Sequence, residues 1–304
     1  MIQQFDSLMS MMEVFSDEQV CIDHLRAIRW KDGAFCPHCG NTKVYHFSDN
    51  RTHKCGECRQ RFSIKVGTIF EDTKLPLRKW FMAIWMITSH KKGIASTQLA
   101  KDLKITQKSA WFVMHRLRHA ARTKSFNRPL EGEVEVDETF VGGKAKNKHA
   151  NKRTGQRGTA GKAIVVGALE RSGDVVAKVV PGTDAKTLGS FVRANVSTDV
   201  TLLATDEHAG YTGLGADFMH RFVRHSAGQY VSGNVHTNGI EGFWSQLKRQ
   251  IVGIHHWISA KHLDRYVGEA SWRYNQRKAG EGDRVNNLLA ITSGRLTYKT
   301  LIAS

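Results

Sequence analysis

The spacing of apolar positions changes character several times along the chain, and each change marks a segment. Residues 16–30 open with the capping signature Ser16-Asp17-Glu18-Gln19 and then place Val20, Ile22, Leu25 and Ile28 at roughly helical intervals. Cys21, alone on that segment, reads as a small buried residue. Helical spacing returns over 76–122. Pro76 suits the start of a helix carrying Trp80, Phe81, Ile84, Trp85 and Ile87, and a short amphipathic stretch follows at 96–103. Lys104-Ile105-Thr106 makes a turn, and a second helix runs from Gln107 through Arg118 with Thr106 as its N-cap.

Asn127-Arg128-Pro129-Leu130 closes the helical part. From 131 to 140 the period becomes two, as in Glu133-Val134-Glu135-Val136-Asp137, which predicts a strand. Two more strands follow at 162–169 and 174–180, joined by a hairpin turn at Ser172-Gly173. Residues 184–194 are helical with Asp184 as the cap. Residues 200–205 are apolar on both faces and so belong in the middle of a sheet. Residues 238–252 and 260–276 are helical. Three strands, a helix, a strand and further helices give an α/β class, with a mixed sheet of RNase H-like type. The expected organisation is an N-terminal helical segment (1–33), a small ribbon (34–70), a helical region (71–128), the α/β domain (129–280) and a C-terminal tail (281–304).

The cysteines define the ribbon. Cys36-Pro37-His38-Cys39 and Cys55-Gly56-Glu57-Cys58 stand fifteen residues apart. Two Cys-x-x-Cys knuckles at that separation match a four-cysteine zinc site, each turn presenting two thiolates to one side. A redox pair would have no use for the second knuckle. Short strands are expected at 43–47, 51–54 and 59–64. His38, His46 and His53 are surplus as ligands, because four sulfurs already fill a tetrahedron. Cysteines used this way point to a reducing compartment.

Charge adds the partner. Lys and Arg number 45 against 28 for Asp and Glu, a net charge of +17. Colloidal stability needs only about 2–8 on a small domain, so the surplus points to a polyanion. DNA, RNA and an anionic membrane all satisfy it. No stretch approaches the roughly 20 apolar residues of a membrane span, and the first residues do not form a secretory signal. The two short helices around Lys104–Thr106 fit a helix-turn-helix, with Gln107, Lys108 and Ser109 where base contacts are made; an ordinary helical hairpin fits as well. Residues 142–162 hold five glycines and seven basic residues, Lys144, Lys146, Lys148, Lys152, Arg153, Arg157 and Lys162, and no acid. Such a loop is a disordered insertion, a clamp on DNA, or both.

Candidate chemistry lies in three distant acids. Asp137 and Asp206 each end an expected strand, and strand ends line the crevice where α/β sheets bind ligands. If those strands are neighbours, the two aspartates face each other. Glu241 opens the helix at 238–252. Three carboxylates held together suit Mg²⁺ or Mn²⁺. Glu138 and Glu207 adjoin the aspartates but should point to the opposite side. Lys248, seven residues after Glu241 and on the same helical face, fits a phosphate contact or a solvated lysine equally well.

Taken together, Cys36–Gly40, Cys55–Cys58, Val136–Lys144, Thr205–Tyr211 and His236–Arg249 resemble insertion-sequence transposases with an N-terminal zinc ribbon and a DDE-type catalytic domain, the group with a lysine after the third acid. The 35 positions from Asp206 to Glu241 fit that pattern. The resemblance implies an RNase H-like fold, prokaryotic origin and a cytoplasmic, nucleoid-associated location. It also implies binding to the element's inverted repeats as an oligomer on double-stranded DNA, followed by metal-dependent strand cleavage and transfer. Asp137, Asp206 and Glu241 would be the metal-binding triad and Lys248 its accessory lysine, with Lys248 and Arg249 as candidate DNA contacts. Some members place Asn at the third position, and Asn238 stands nearby. A non-catalytic zinc-dependent DNA-binding regulator would explain the ribbon and the charge but not the acids. A nuclease of the same fold would explain both.

Overall fold

The computed structural model describes residues 2–123, 128–143, 158–159 and 161–303. They form two compact units, residues 1–124 with 278–304, and residues 125–277. Among them no helix is long and apolar enough to cross a membrane.

The first unit begins with α1 (Leu8–Val14) and α2 (Glu18–Arg29). Asp17, one residue beyond the Ser16 that opens the capping signature, is the α2 N-cap, and its carboxylate accepts from Gln19 N and Val20 N. The ribbon strands β1 (Val44–His46), β2 (Thr52–Cys55) and β3 (Arg61–Ser63) form an antiparallel sheet. Helix α3 (Leu77–Ser89) starts after Pro76, which offers no side-chain cap. Glu18 of α2 supplies it from a distance, accepting from Leu77 N at 2.8 Å and Arg78 N at 3.2 Å. Helices α4 (Ser96–Leu103) and α5 (Gln107–Thr123) flank Lys104, whose φ of 48° makes the sharp turn, and Thr106 Oγ1 caps α5 by accepting from Ser109 N. This is the helix-turn-helix-like pair expected from the sequence.

The stretch expected as a C-terminal tail is built into this unit. Helix α9 (Glu281–Ala290) packs on α2 and α3, and Ile69 N donates to Thr292 O at 2.9 Å. Buried His24 fixes the contact: Nδ1 accepts from Gln3 N, and Nε2–H donates to Asn286 Oδ1 at 2.9 Å. Its ring packs edge-on against Phe15 and Phe81. Arg116 of α5, also buried, donates to the carbonyls of Ile69, Glu71 and Leu296. A short helix α10 (Tyr298–Ala303) follows.

The second unit is one five-stranded sheet. Strands β4 (Glu133–Val141), β5 (Ala163–Glu170) and β6 (Val175–Val180) make an antiparallel meander; β7 (Leu202–Thr205) and β8 (His220–Phe222) add in parallel, in the order β6-β5-β4-β7-β8. This is the RNase H-like arrangement. All four residues of β7 are buried between β4 and β8. Helix α6 (Ala185–Asn195), capped by Asp184 as expected, packs Leu188, Phe191 and Val192 on one face against Val134, Val136 and Leu203. Helices α7 (Asn238–Gln250) and α8 (Ala260–Asn275) cover the other, where Ile240, Phe243, Trp244 and Leu247 meet Val165, Leu169 and Val175. Burying side chains of that size contributes roughly 1.5–3 kcal/mol each.

Candidate active site and metal centre

The strand register decides where the aspartates lie. In the parallel pair β4·β7, Glu133 stands opposite Leu202, Val134 opposite Leu203 and Glu135 opposite Ala204. Continued two residues, that register sets Asp206, just past the end of β7, level with Asp137, which lies in the middle of β4 and not at its end as the alternation suggested, because β4 runs on to Val141 against β5. Neighbouring strands are about 4.8 Å apart, so the two carboxylates repel. Burial, then Glu138 and Asp206, push the Asp137 carboxyl up to about 7. Asp206 Oδ1 accepts from His208 N at 3.0 Å, which fixes the turn after β7.

Asp137 is held from the opposite layer. Its partner on β5 is Gly167, and a Cβ there would lie 2.7 Å from the Trp244 ring. The missing side chain admits the indole, whose Nε1–H donates to Asp137 Oδ2 at 3.0 Å. Helix α7 is itself fastened by Glu135, two residues before Asp137 on the same strand face. Glu135, 1% exposed, accepts from Ile240 N at 3.0 Å in the first turn of α7 and from Arg171 Nε at 2.8 Å. A carboxylate suits a helix N-terminus, and Gly239 lets it approach, since a Cβ there would meet Glu135 Oε2 at 2.8 Å. Arg171 also pairs with Glu133 and donates to His236 O.

Glu241 is engaged at the start of its own helix. It lies exposed in the first turn of α7 and accepts from Thr237 Oγ1 at 3.2 Å. Among the described residues, the ligand atoms of Asp137, Asp206 and Glu241 do not gather within 4.8 Å of one another, whereas those of the four cysteines do. Asn238 is exposed at the helix start. Lys248 and Arg249 are exposed two turns further along α7, Arg249 donating to Ser245 Oγ.

The neighbouring acids take distinct parts. Glu138 turns to the α6 face and accepts from the buried Tyr211 hydroxyl at 2.7 Å, yet it still feels Asp206, and burial together with that charge holds its carboxyl above the ordinary range. Glu207 accepts from Ser226 N at 2.7 Å and Ser226 Oγ at 2.8 Å. The sequence carries no signal for the Glu138–Tyr211, Glu135–Ile240 or Glu207–Ser226 pairings, because each joins residues from separate elements.

In the ribbon, Cys36, Cys39, Cys55 and Cys58 bring their sulfurs together, with 3.7 Å between Cys36 and Cys58 and 3.6 Å between Cys39 and Cys55. Four sulfurs about 2.3 Å from a tetrahedral zinc stand roughly 3.8 Å apart, so the cluster fits the ion. Backbone N–H groups of His38 and Glu57 point at Cys36 and Cys55 sulfur. His53 is a packing residue, fully buried among Trp30, His46 and Phe62, and burial lowers its imidazole to about 4.

On α5, Gln107 and Lys108 are exposed and Ser109 is half-buried; Gln107 donates to Ser96 Oγ, and Lys108 Nζ lies 5.0 Å from the Tyr298 ring centre. Lys144, Lys146, Lys148, Lys152 and Arg153 fall outside the described residues.

A mixed sheet that sets Asp137 level with Asp206, together with a four-cysteine ribbon, defines the class, and comparison with known proteins agrees. Residues 129–275 match the ISXO2-like transposase domain, and residues 16–61 match the transposase zinc-ribbon domain. The chain thus carries a stretch matching a transposase zinc-ribbon domain followed by one matching an ISXO2-like transposase domain. An uncharacterized protein in transposable element ISH50 of Halobacterium salinarum is 28% identical over 270 residues, 84% of this chain and 90% of that protein. Two structures of Mos1 transposase were also matched. They are a pre-cleavage transpososome and a paired-end complex with the left transposon end, each 12% identical and covering 75% of this chain and 82% of the other, with TM-scores of 0.20 and 0.18. At such scores they carry no weight for fold or site.

Proposed function

We propose that this protein cuts DNA at the ends of its element and joins the freed 3′-hydroxyl ends to target DNA, with Asp137, Asp206 and Glu241 as the carboxylates that hold divalent ions. The observation that carries the reading is the register of β4 and β7, which sets Asp137 level with Asp206 inside a domain that matches transposases. Buried, mutually repelling carboxylates favour a hard cation such as Mg²⁺ or Mn²⁺. When bound, two such ions activate a water or hydroxyl and stabilise the leaving oxygen.

The residues of the chain supply position. Trp244 fixes the orientation of Asp137, and Glu135 fixes α7 and hence the base of Glu241. Glu241 completes the set on release from Thr237. Lys248 and Arg249 extend the same helix toward flanking phosphates. Gln107, Lys108 and Ser109, at the start of α5, would meet base edges at the element ends. Lys144, Lys146, Lys148, Lys152 and Arg153 would neutralise backbone phosphates beside the cut. Pairing two ends requires at least a dimer on DNA, and a substrate of this kind puts the protein at the nucleoid.

The test is an assay with labelled element-end DNA and a target plasmid in Mg²⁺. Wild-type protein should nick the ends and give joined products, and Asp137→Ala and Asp206→Ala should give neither. Cleavage that survives Asp137→Ala would refute the assignment of the site. Nicking with no joined product would leave a nuclease, and tight end binding with neither product a regulator.

A further inference from the structure

The segment between β8 and α7 takes no part in the reading above, yet its composition is unusual. Residues 218–240 contain no Asp or Glu and hold Arg221, Arg224 and three histidines. The segment leaves β8 at the same end of the sheet as Asp206: Thr205 pairs with Phe222, and Val223 N donates to Thr205 O at 3.1 Å. It is an organised loop. Gly228 N donates to His225 O and Gln229 N to Arg224 O, both at 3.0 Å. Two hydrogen bonds donated by Ser226 to the Glu207 carboxylate tie it to the residue after Asp206.

Two aromatic rings stand out from this framework. Tyr230 is 62% exposed and Phe222 47%. Each has a basic group against it: the Arg224 guanidinium lies 5.7 Å from the Phe222 ring centre, and the His225 ring lies 5.1 Å from that of Tyr230, tilted by 36°. Aromatic faces left in water beside a guanidinium and an imidazole match the chemistry of a nucleotide, with the base stacking on the ring and the phosphate meeting the guanidinium. A second copy of the chain is a poorer occupant, because a symmetric contact would set Arg221 and Arg224 against themselves.

We propose that Phe222 and Tyr230, with Arg224 and His225, form a stacking platform for an unpaired nucleotide of the DNA strand that reaches this end of the sheet. The inference rests on the reading of Asp137 and Asp206 as the cleavage centre, since that reading brings a DNA strand to this end of the sheet. The platform offsets the cost of unpairing the terminal base and so favours ends whose last nucleotides are single-stranded.

The experiment compares the affinity of the full-length protein for blunt element-end duplex with that for the same duplex carrying a short single-stranded extension. Both are measured in Ca²⁺ to separate binding from cleavage. Stacking contributes about 1–3 kcal/mol per base, so wild type should prefer the extended DNA by roughly 5- to 150-fold. The double variant Phe222→Ala/Tyr230→Ala should lose that preference while binding blunt DNA normally, and Phe222→Tyr/Tyr230→Phe should keep it. Unchanged affinity for blunt DNA also reports that the alanine variant is folded. The proposal is overturned if the alanine variant retains the preference, if blunt and extended DNA weaken together, or if the variant changes only the oligomeric state in sedimentation. Wild-type cleavage in Mg²⁺ is scored separately. Preference for extended DNA without cleavage would sink the catalytic reading alone, and cleavage without the preference would sink the platform alone.

Discussion

Trp244 donates its indole N–H to Asp137 Oδ2 at 3.0 Å across a gap that Gly167 leaves open. One glycine on β5 thereby controls how a carboxylate on β4 is presented. Trp244→Phe keeps an aromatic ring but removes the donor and part of the indole that fills the gap over Gly167. The variant should lose roughly 1–3 kcal/mol in urea unfolding, from one hydrogen bond and a small cavity, and stay folded, while the Mn²⁺ concentration for half-maximal cleavage rises several-fold. Gly167→Ala should displace the indole, cost roughly 1–3 kcal/mol as overpacking, and impair cleavage more than Trp244→Phe.

Glu135 should prove more costly to remove than any other acid on this face. Glu135→Ala removes the buried acceptor of the Ile240 N–H and of Arg171 Nε, leaving Arg171 with Glu133 and the His236 carbonyl. Stripping one partner from such a pair costs roughly 3–5 kcal/mol. Glu135→Gln keeps an acceptor for Ile240 and should lose less. Urea unfolding gives both values, and equal losses would show that the helix contact, rather than the charge, matters little.

Chelation should act selectively on thiols. With zinc bound, Cys36, Cys39, Cys55 and Cys58 are expected to resist alkylation, and a strong chelator should expose four reactive thiols per chain. Cys21 should stay unmodified until global unfolding, because it is fully buried and burial pushes its thiol up to about 12. Five fast-reacting thiols after chelation would contradict this.

His24 makes the first unit acid-sensitive. Burial lowers its imidazole below the ordinary value, so the folded form stays neutral where the unfolded chain takes up a proton. Stability is therefore complete above the ordinary histidine range near 6.5 and declines as pH falls through it toward the folded value. His24→Phe preserves the aromatic contacts with Phe15 and Phe81. It should flatten the loss of stability between pH 7 and pH 5, measured by denaturant titration at each pH, even though it lowers stability at pH 7 by removing the bond to Asn286.

Much of this architecture is legible in sequence because local chemistry dictates it. The ribbon knuckles, the Pro76 start of α3, the Thr106 and Asp184 caps, and the doubly apolar β7 each announce themselves within a few residues. Strand β8 does not. His220–Phe222 is three residues long, lies at a sheet edge and lacks apolar alternation, so only pairing with β7 makes it a strand. The alternation in β4 carries a subtler message. Glu133, Glu135 and Asp137 look like a solvated face, but α7 packs over it, so Glu135 anchors the helix and Asp137 meets Trp244 instead of water. The separation from Asp206 to Glu241 gives no sign that Thr237 engages the third acid.

The flanking unit has a consequence for the order of synthesis. Residues 1–124 complete their core only with 278–304, where α9 closes over α2 and α3. On the ribosome the sheet domain can therefore finish before the ribbon-bearing domain that precedes it, against the usual N-terminal-first sequence. A product truncated before residue 278 lacks the closing helix. Its sheet domain would be complete, but the unclosed ribbon-bearing unit would open it to proteolysis before it could persist as a competitor for the full-length protein.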